Sequence, residues 1–334
     1  MENLGKNHTL YFKNEPRIIG HYSIVGKKEG NGNFKDYYDE ILSDDSLNEK
    51  SYESSERKMF QKTLQEATKQ ANLTKEEIDV LVLGDLLNQI TSSSFCAREL
   101  PSGFLGVYGA CSTMAESLIV GSMLIDGGYV KNVLCGTCSH FSSSEKQYRF
   151  PLELGNQRPL MAQWTVTGAG ATVLSSGQKG IKITCATIGK VEDYGITDAN
   201  NMVAAMAPSA CSTLVTHFKN TQTKPQDYDL ILTGDLGKLG SDILRNLMEK
   251  TPYKLGENYS DCGAMIYTKN QHTLQGGSGA GASASVLNSY VIKKMEKGEY
   301  KKVLFMATGA LLSPLTTLQG ESIPGVSHAV VLEI

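Results

Sequence analysis

Two kinds of hydrophobic pattern alternate along this chain. From Arg57 to Ala71 apolar residues recur at helical spacing, at Phe60, Leu64, Ala67 and Ala71. The β-rich run Ile78-Asp79-Val80-Leu81-Val82-Leu83 follows and stops at Gly84, which predicts a helix feeding a buried strand. The phrase Ile78-Asp79-Val80-Leu81-Val82-Leu83-Gly84-Asp85-Leu86 returns 150 residues later as Tyr228-Asp229-Leu230-Ile231-Leu232-Thr233-Gly234-Asp235-Leu236. A second phrase, Gly109-Ala110-Cys111-Ser112, opens a helix of small and apolar residues that ends near Gly127 and precedes the strand Lys131-Asn132-Val133-Leu134. Its counterpart lies 170 residues on: Gly279-Ala280-Gly281-Ala282 opens a helix ending near Gly298, before Lys301-Lys302-Val303-Leu304. Gly170 to Leu174 and His328 to Leu332 close the two series as strands.

Three matched phrases in one order predict a duplicated α/β chain, with an N-terminal half at 1–177 and a C-terminal half at 178–334. The helix after Cys111 carries so little charge that it must be buried. It is expected to pack against the helix beginning at Ala280 across a pseudo-dyad, between two sheets. The fold class is therefore α/β, a layered α-β-α-β-α sandwich. Residues 26–57 are polar and charged, and read as a surface insert with at most short helices.

Composition narrows the picture only by exclusion. The chain has 334 residues and a net charge of −3, so it has no broad positive field for nucleic acid. No run approaches the ~18 apolar residues needed to span a bilayer. Met1 to Arg17 is polar and lacks the apolar core of a signal peptide. The expectation is a soluble chain made in the cytoplasm, with any membrane association peripheral. Seven scattered cysteines make no disulfide framework. Cys135 and Cys138 form a C-x-x-C, but within an apolar strand and without a second pair, so neither a metal site nor a cofactor is expected.

A Gly-Ala-Cys-Ser turn opening a buried helix in a duplicated α/β chain resembles the thiolase superfamily, which includes the ketoacyl-synthase condensing enzymes. The glycine-rich run Gly276 to Ser283 is similar to the motif in the second half of those proteins. Several strings narrow the resemblance to the stage V sporulation AD family. They are Gly84 to Gln89, Gly109 to Thr113, Ser139-His140, Glu145 to Pro151, Thr165 to Gly170, Gly195 to Asp198, Ala205 to Pro208 and Ala307 to Pro314. The resemblance implies the thiolase fold and a part in moving dipicolinic acid into developing endospores, with that acid as ligand. It further implies work beside the other stage V sporulation A membrane proteins at the spore inner membrane. A role in germination-linked release, calcium accompanying the ligand, and a homodimer formed through sheet edges are left open by it.

A condensing enzyme places its Cys nucleophile at a helix N-terminus, where the dipole lowers the thiol pKa. Cys111 occupies that place. Such an enzyme also needs two His, or His and Asn, in its second half to bind the thioester oxygen and assist proton transfer. Here those positions read Gly234-Asp235-Leu236 and Gly276-Gly277-Ser278, and His217, His272 and His328 fall elsewhere. No catalytic residue is therefore assigned, and a condensing enzyme using Cys111 is the alternative. For a planar dianion the candidate ligand-binding residues are Cys111 and Ser112 at the helix tip, and Ser139 and His140 after the following strand. Asn88 after the first strand and the nearby cations Lys146 and Arg149 complete the set. Asp85 and Asp235 recur in both halves and read as structural. Glu116, on the buried helix, is expected to hydrogen-bond across the dyad.

Overall fold

The computed structural model describes residues 8–148, 157–177 and 179–334. Ten strands carry its architecture. Five belong to the first part of the chain: β1 (Arg17–Val25), β2 (Val80–Asp85), β3 (Gly103–Gly106), β4 (Asn132–Ser139) and β5 (Gly168–Ser175). Five belong to the second: β6 (Ile181–Thr187), β7 (Leu230–Thr233), β8 (Tyr259–Asp261), β9 (Lys302–Ala310) and β10 (Gly325–Glu333). Their spatial order is β3-β2-β4-β5-β1 followed by β6-β10-β9-β7-β8, so each run mirrors the other. In both, the first two ladders from the outer edge are parallel, β2 with β3 and β4, β7 with β8 and β9. The next two are antiparallel in both, β4 with β5 and β5 with β1, then β9 with β10 and β10 with β6. The runs join where Arg17 and Ile18 pair with Lys182 and Ile181.

The repeat in sequence thus returns as a repeat in register. Asp79 and Asp229 show why the phrase contains an aspartate. The Asp79 carboxylate accepts the N–H groups of Lys131 and Asn132 at 2.9 and 2.8 Å, and Asp229 accepts those of Lys301 and Lys302 at 2.7 and 2.9 Å. Each ties the entrance of one central strand to the start of the next.

Six helices cover the strands: α1 (Tyr52–Gln70), α2 (Thr113–Asp126), α3 (Phe141–Tyr148), α4 (Met202–Thr221), α5 (Gly237–Met248) and α6 (Ala280–Val286). The last runs on through a π-turn at Leu287–Val291 to Glu296. α1 packs on β1, β4 and β5, while α4 packs on β9 and β10. Helices α2 and α6 touch each other and lie between the two runs, α2 reaching β2, β4, β9 and β10. The result is five layers, with the apolar helix after Cys111 in the middle, as its lack of charge requires. Among the described residues, no helix is long and apolar enough to cross a membrane.

The insert differs from expectation. Residues 26–57 do not merely run over the surface: Glu29, Phe34, Tyr38 and Leu42 are buried. Phe34 stacks at 4.7 Å on Tyr290, the Asn33 amide donates to the Met265 carbonyl at 2.8 Å, and Lys293 reaches Asp39 at 2.6 Å. The segment is polar because it bridges two parts of the molecule through hydrogen bonds, with a few aromatic anchors inserted between them.

Candidate functional site

The turn Gly109-Ala110-Cys111-Ser112 lies just ahead of α2. Ala110 holds a left-handed φ of 51°, a conformation that costs a non-glycine residue about 1 kcal/mol or more. The turn is pressed against Gly309 of β9, where an added Cβ would stand 2.1 Å from the Gly109 carbonyl oxygen. Only glycine admits so close an approach, and it brings the second part of the chain onto the helix tip.

Cys111 lies at a pocket of about 530 Å3, its open mouth included. Tyr108, Tyr148, Leu86, Met202 and Leu312 make apolar and aromatic walls, with Ser144, Glu145, Thr165 and Ser278 as polar points. The two tyrosine hydroxyls meet at 3.0 Å, and Tyr148 donates to the Leu86 carbonyl. Glu145 pairs with Arg158 at 3.1 Å. A short parallel ladder, Trp164–Thr165 against Gly277–Ser278, carries the glycine-rich segment to the pocket. Gln163 locks it there by donating at 2.7 Å to the carbonyls of both Asp235 and Gly277.

Asp235, read from the repeat as structural, is buried and hydrogen-bonded, and it lies next to the pocket. Its repeat partner Asp85 is structural, accepting the N–H groups of Leu87 and Ser93 and the Ser93 hydroxyl at 2.7–3.0 Å. Asp235 instead stands behind the pocket floor, where its charge bears on the Cys111 thiol. It also accepts Gly279 N–H at 2.9 Å, Thr308 Oγ1 at 2.9 Å and Ser278 Oγ at 3.3 Å. Burial pushes its carboxyl up to about 6 against the lowering effect of those donors. The Cys111 thiol is pushed well above its usual 9 by burial, then by the Asp235 charge. This is the reverse of what a nucleophilic cysteine requires. Among the described residues lining the pocket there is no His and no Asn.

The remaining sequence candidates part company. Ser112 spends its hydroxyl on the Gly109 carbonyl at 2.6 Å, closing its own turn. Ser139 donates to the Val166 carbonyl at 2.7 Å and accepts Gly281 N–H at 3.0 Å, fastening β4 to α6. His140, expected at the rim, turns away: Nε2 meets the Asp45 carbonyl of the insert at 3.0 Å, Nδ1 accepts Ser142 N–H, and the ring stacks on Tyr52. Burial lowers its pKa below 6.5. Asn88 is exposed, its backbone held by Gln147, and Lys146 reaches Glu53 at 2.7 Å. Arg149 lies outside the described residues. Glu116 was expected to bond across the dyad, yet its Oε2 is buried without a partner, and burial raises its pKa. The tyrosine walls and Glu145 went unrecognised in the sequence, where only the string Glu145 to Tyr148 hinted at them.

A family model described as stage V sporulation protein AD matches residues 6–333. The chain is 44% identical over 311 residues to stage V sporulation protein AD of Bacillus subtilis strain 168, covering 93% of this chain and 92% of that protein. The chain belongs to the stage V sporulation protein AD family. It is a sporulation protein, and its fold is thiolase-like. Solved structures that share the fold include 3-oxoacyl-[acyl-carrier-protein] synthase III from Aquifex aeolicus VF5, with TM-score 0.56, 16% identity, and coverage of 96% of this chain and 100% of that one. Cerulenin-bound OleA of Xanthomonas campestris is another, with TM-score 0.61, 13% identity, and 99% and 100% covered. Human mitochondrial 3-ketoacyl-CoA thiolase in complex with CoA gives TM-score 0.57 and 10% identity over 97% of this chain and 99% of that one. At such identities the likeness concerns the fold, and the chemistry has to be argued from the site.

Proposed function

We propose that this protein serves sporulation as a non-catalytic binding protein, and that its ligand, dipicolinic acid, occupies the Cys111 pocket. One observation carries the reading: among the described residues, the pocket that Cys111 lines holds neither His nor Asn, and the buried group beside the thiol is the carboxylate of Asp235. A thiol so held stays protonated at neutral pH, and a carboxylate beside it repels the oxyanion that acyl transfer would form. The family membership supplies the sporulation context, and the walls supply flat apolar surfaces for an aromatic ring, with Tyr108 and Tyr148 on one side.

A chain with no membrane-crossing helix among its described residues can move the acid into the spore only beside membrane partners. We assign that role to the stage V sporulation A membrane proteins, with this chain peripheral at the spore inner membrane. The outer edge of β3, which pairs with β2 on its inner side and carries exposed Phe104 and Leu105, is the surface through which a homodimer would form.

Calorimetric titration of the purified chain with dipicolinate tests the reading. Binding in the micromolar to millimolar range that Tyr148→Ala weakens supports it, and no heat of binding at millimolar ligand overturns it. Incubation with acyl thioesters followed by mass spectrometry tests the alternative: a stable acyl adduct on Cys111 would make this protein a condensing enzyme.

A further inference from the structure

The donors at the pocket floor are already spoken for. Cys111, Ser278 and Gly279 line the pocket, yet the Ser278 hydroxyl and the Gly279 N–H both donate behind the floor to Asp235, whose charge also bears on the Cys111 thiol. A carboxylate arriving from the pocket therefore finds their hydrogens engaged and a second negative charge facing it. Among the described residues no Lys, Arg or His forms an ion pair with Asp235, and its partners are neutral hydroxyl, thiol and amide groups. The other ionisable groups facing it are the Cys111 thiol, Asp261 and Cys262 from β8 and the turn after it, and, at the pocket, Glu145 with its Arg158 partner. Asp261 is held differently: its carboxylate accepts the fixed N–H groups of Leu236, Gly237 and Ala264 at 2.8–2.9 Å, which no ligand would release.

We infer that Asp235 is the specificity-determining residue of the Cys111 pocket, and that it admits an anionic carboxylate only by taking up a proton. The proton comes from solvent and settles on one Asp235 oxygen, which removes the second negative charge facing the ligand and makes the carboxyl a weaker acceptor for the floor. The Ser278 hydroxyl and the Cys111 thiol can then rotate to the ligand carboxylate, while the fixed Gly279 N–H stays on Asp235. The pocket thus selects carboxylate ligands that enter together with one proton, and discriminates against them when the floor is fully ionised. The folded-state value near 6 means that Asp235 is largely ionised at neutral pH before the ligand arrives, and two close carboxylates share a proton above that point.

This inference rests on the dipicolinate reading above and is tested with the same probe. Titrations of the full chain with dipicolinate in buffers of different ionisation enthalpy count the protons exchanged. The wild-type chain is expected to take up about one proton per ligand at neutral pH, and its affinity to fall about tenfold per pH unit above about pH 6. Asp235→Asn, whose carboxamide cannot ionise, is expected to bind with no proton uptake and with an affinity that does not vary over that range. Binding by the wild-type chain without proton exchange overturns this inference alone, and needs no variant to fold. An unchanged proton count in Asp235→Asn overturns it as well. Absence of binding by both chains at every pH overturns it together with the functional reading.

Discussion

Asp85 and Asp235 occupy the same step of the repeat, one residue after a glycine at the end of a central parallel strand, yet they do different work. Asp85 looks into the outer layer of the first part. There it fastens the 87–93 segment and lies close enough to the buried Glu56 that its charge helps raise the Glu56 pKa. Asp235 looks inward, to the turn that carries Cys111. The difference lies in the kind of donor each meets. Both Asp85 oxygens accept backbone N–H groups, which cannot reverse. Asp235 accepts one backbone N–H, while its other donors are the hydroxyls of Ser278 and Thr308, which can rotate. A rigid donor set makes a fastener; a rotatable one makes a site whose hydrogen bonds can be exchanged. Duplication copied the backbone demand, and the surroundings set the task.

The largest expected effect breaks this comparison most directly. Asp85→Asn places an N–H against a fixed N–H, and should lower the unfolding free energy by about 2–3 kcal/mol, whereas Asp235→Asn should lower it by less than about 1 kcal/mol. Chemical denaturation of the two variants checks this, and equal losses would erase the distinction.

Next comes a pH effect that is largest on the Asp85 side. Burial, then the Asp85 charge, pushes Glu56 up from 4.5 to about 8. The folded chain keeps a proton there that the unfolded chain has released, so stability is fullest below about 4.5 and falls as pH rises through 8. Denaturation midpoints at about pH 5 and about pH 9 should show this slope, and Glu56→Gln should reduce it, leaving the part due to Glu29, Asp261 and Asp235, which burial also raises. A wild-type chain that gains stability over that interval contradicts the assignment.

The matched carboxylates Asp79 and Asp229, at the entrances of the central strands, sharpen the comparison from the other side. Asp79→Ala and Asp229→Ala each remove two hydrogen bonds from exposed positions, and should cost about 1 kcal/mol apiece, nearly equal to each other. Unequal thermal shifts would mean that these two tethers had also diverged. The smallest effect is expected at Lys146, whose pairing with Glu53 is solvent-exposed. Lys146→Ala should alter stability by less than about 0.5 kcal/mol and leave dipicolinate affinity within twofold.

The repeat was legible in sequence because its demands are local. A glycine must end the strand, an aspartate must catch the next strand's first N–H groups, and small residues must open a central helix. The site was legible only at Cys111, whose place at a helix opening is likewise local. Ser139 and His140 were expected to point at the ligand from a loop after a strand ending at Leu134, whereas β4 runs on through Ser139. Which way they turn depends on the glycine-rich segment that claims the Ser139 hydroxyl and on the insert that claims the imidazole. The insert was misread for a related reason: its composition is that of a surface loop, and its burial comes from surfaces contributed by residues 265 to 293.

The order of helices and strands, the duplication and the seat of the thiol were therefore written in the chain itself, since they depend on neighbours a few residues apart. The contact between Cys111 and Asp235 was decided by the tertiary structure alone. It joins positions 124 residues apart, and it exists because the two sheet runs press their strand ends onto one helix tip. Burial at that meeting point then raises the pKa of both the thiol and the carboxyl.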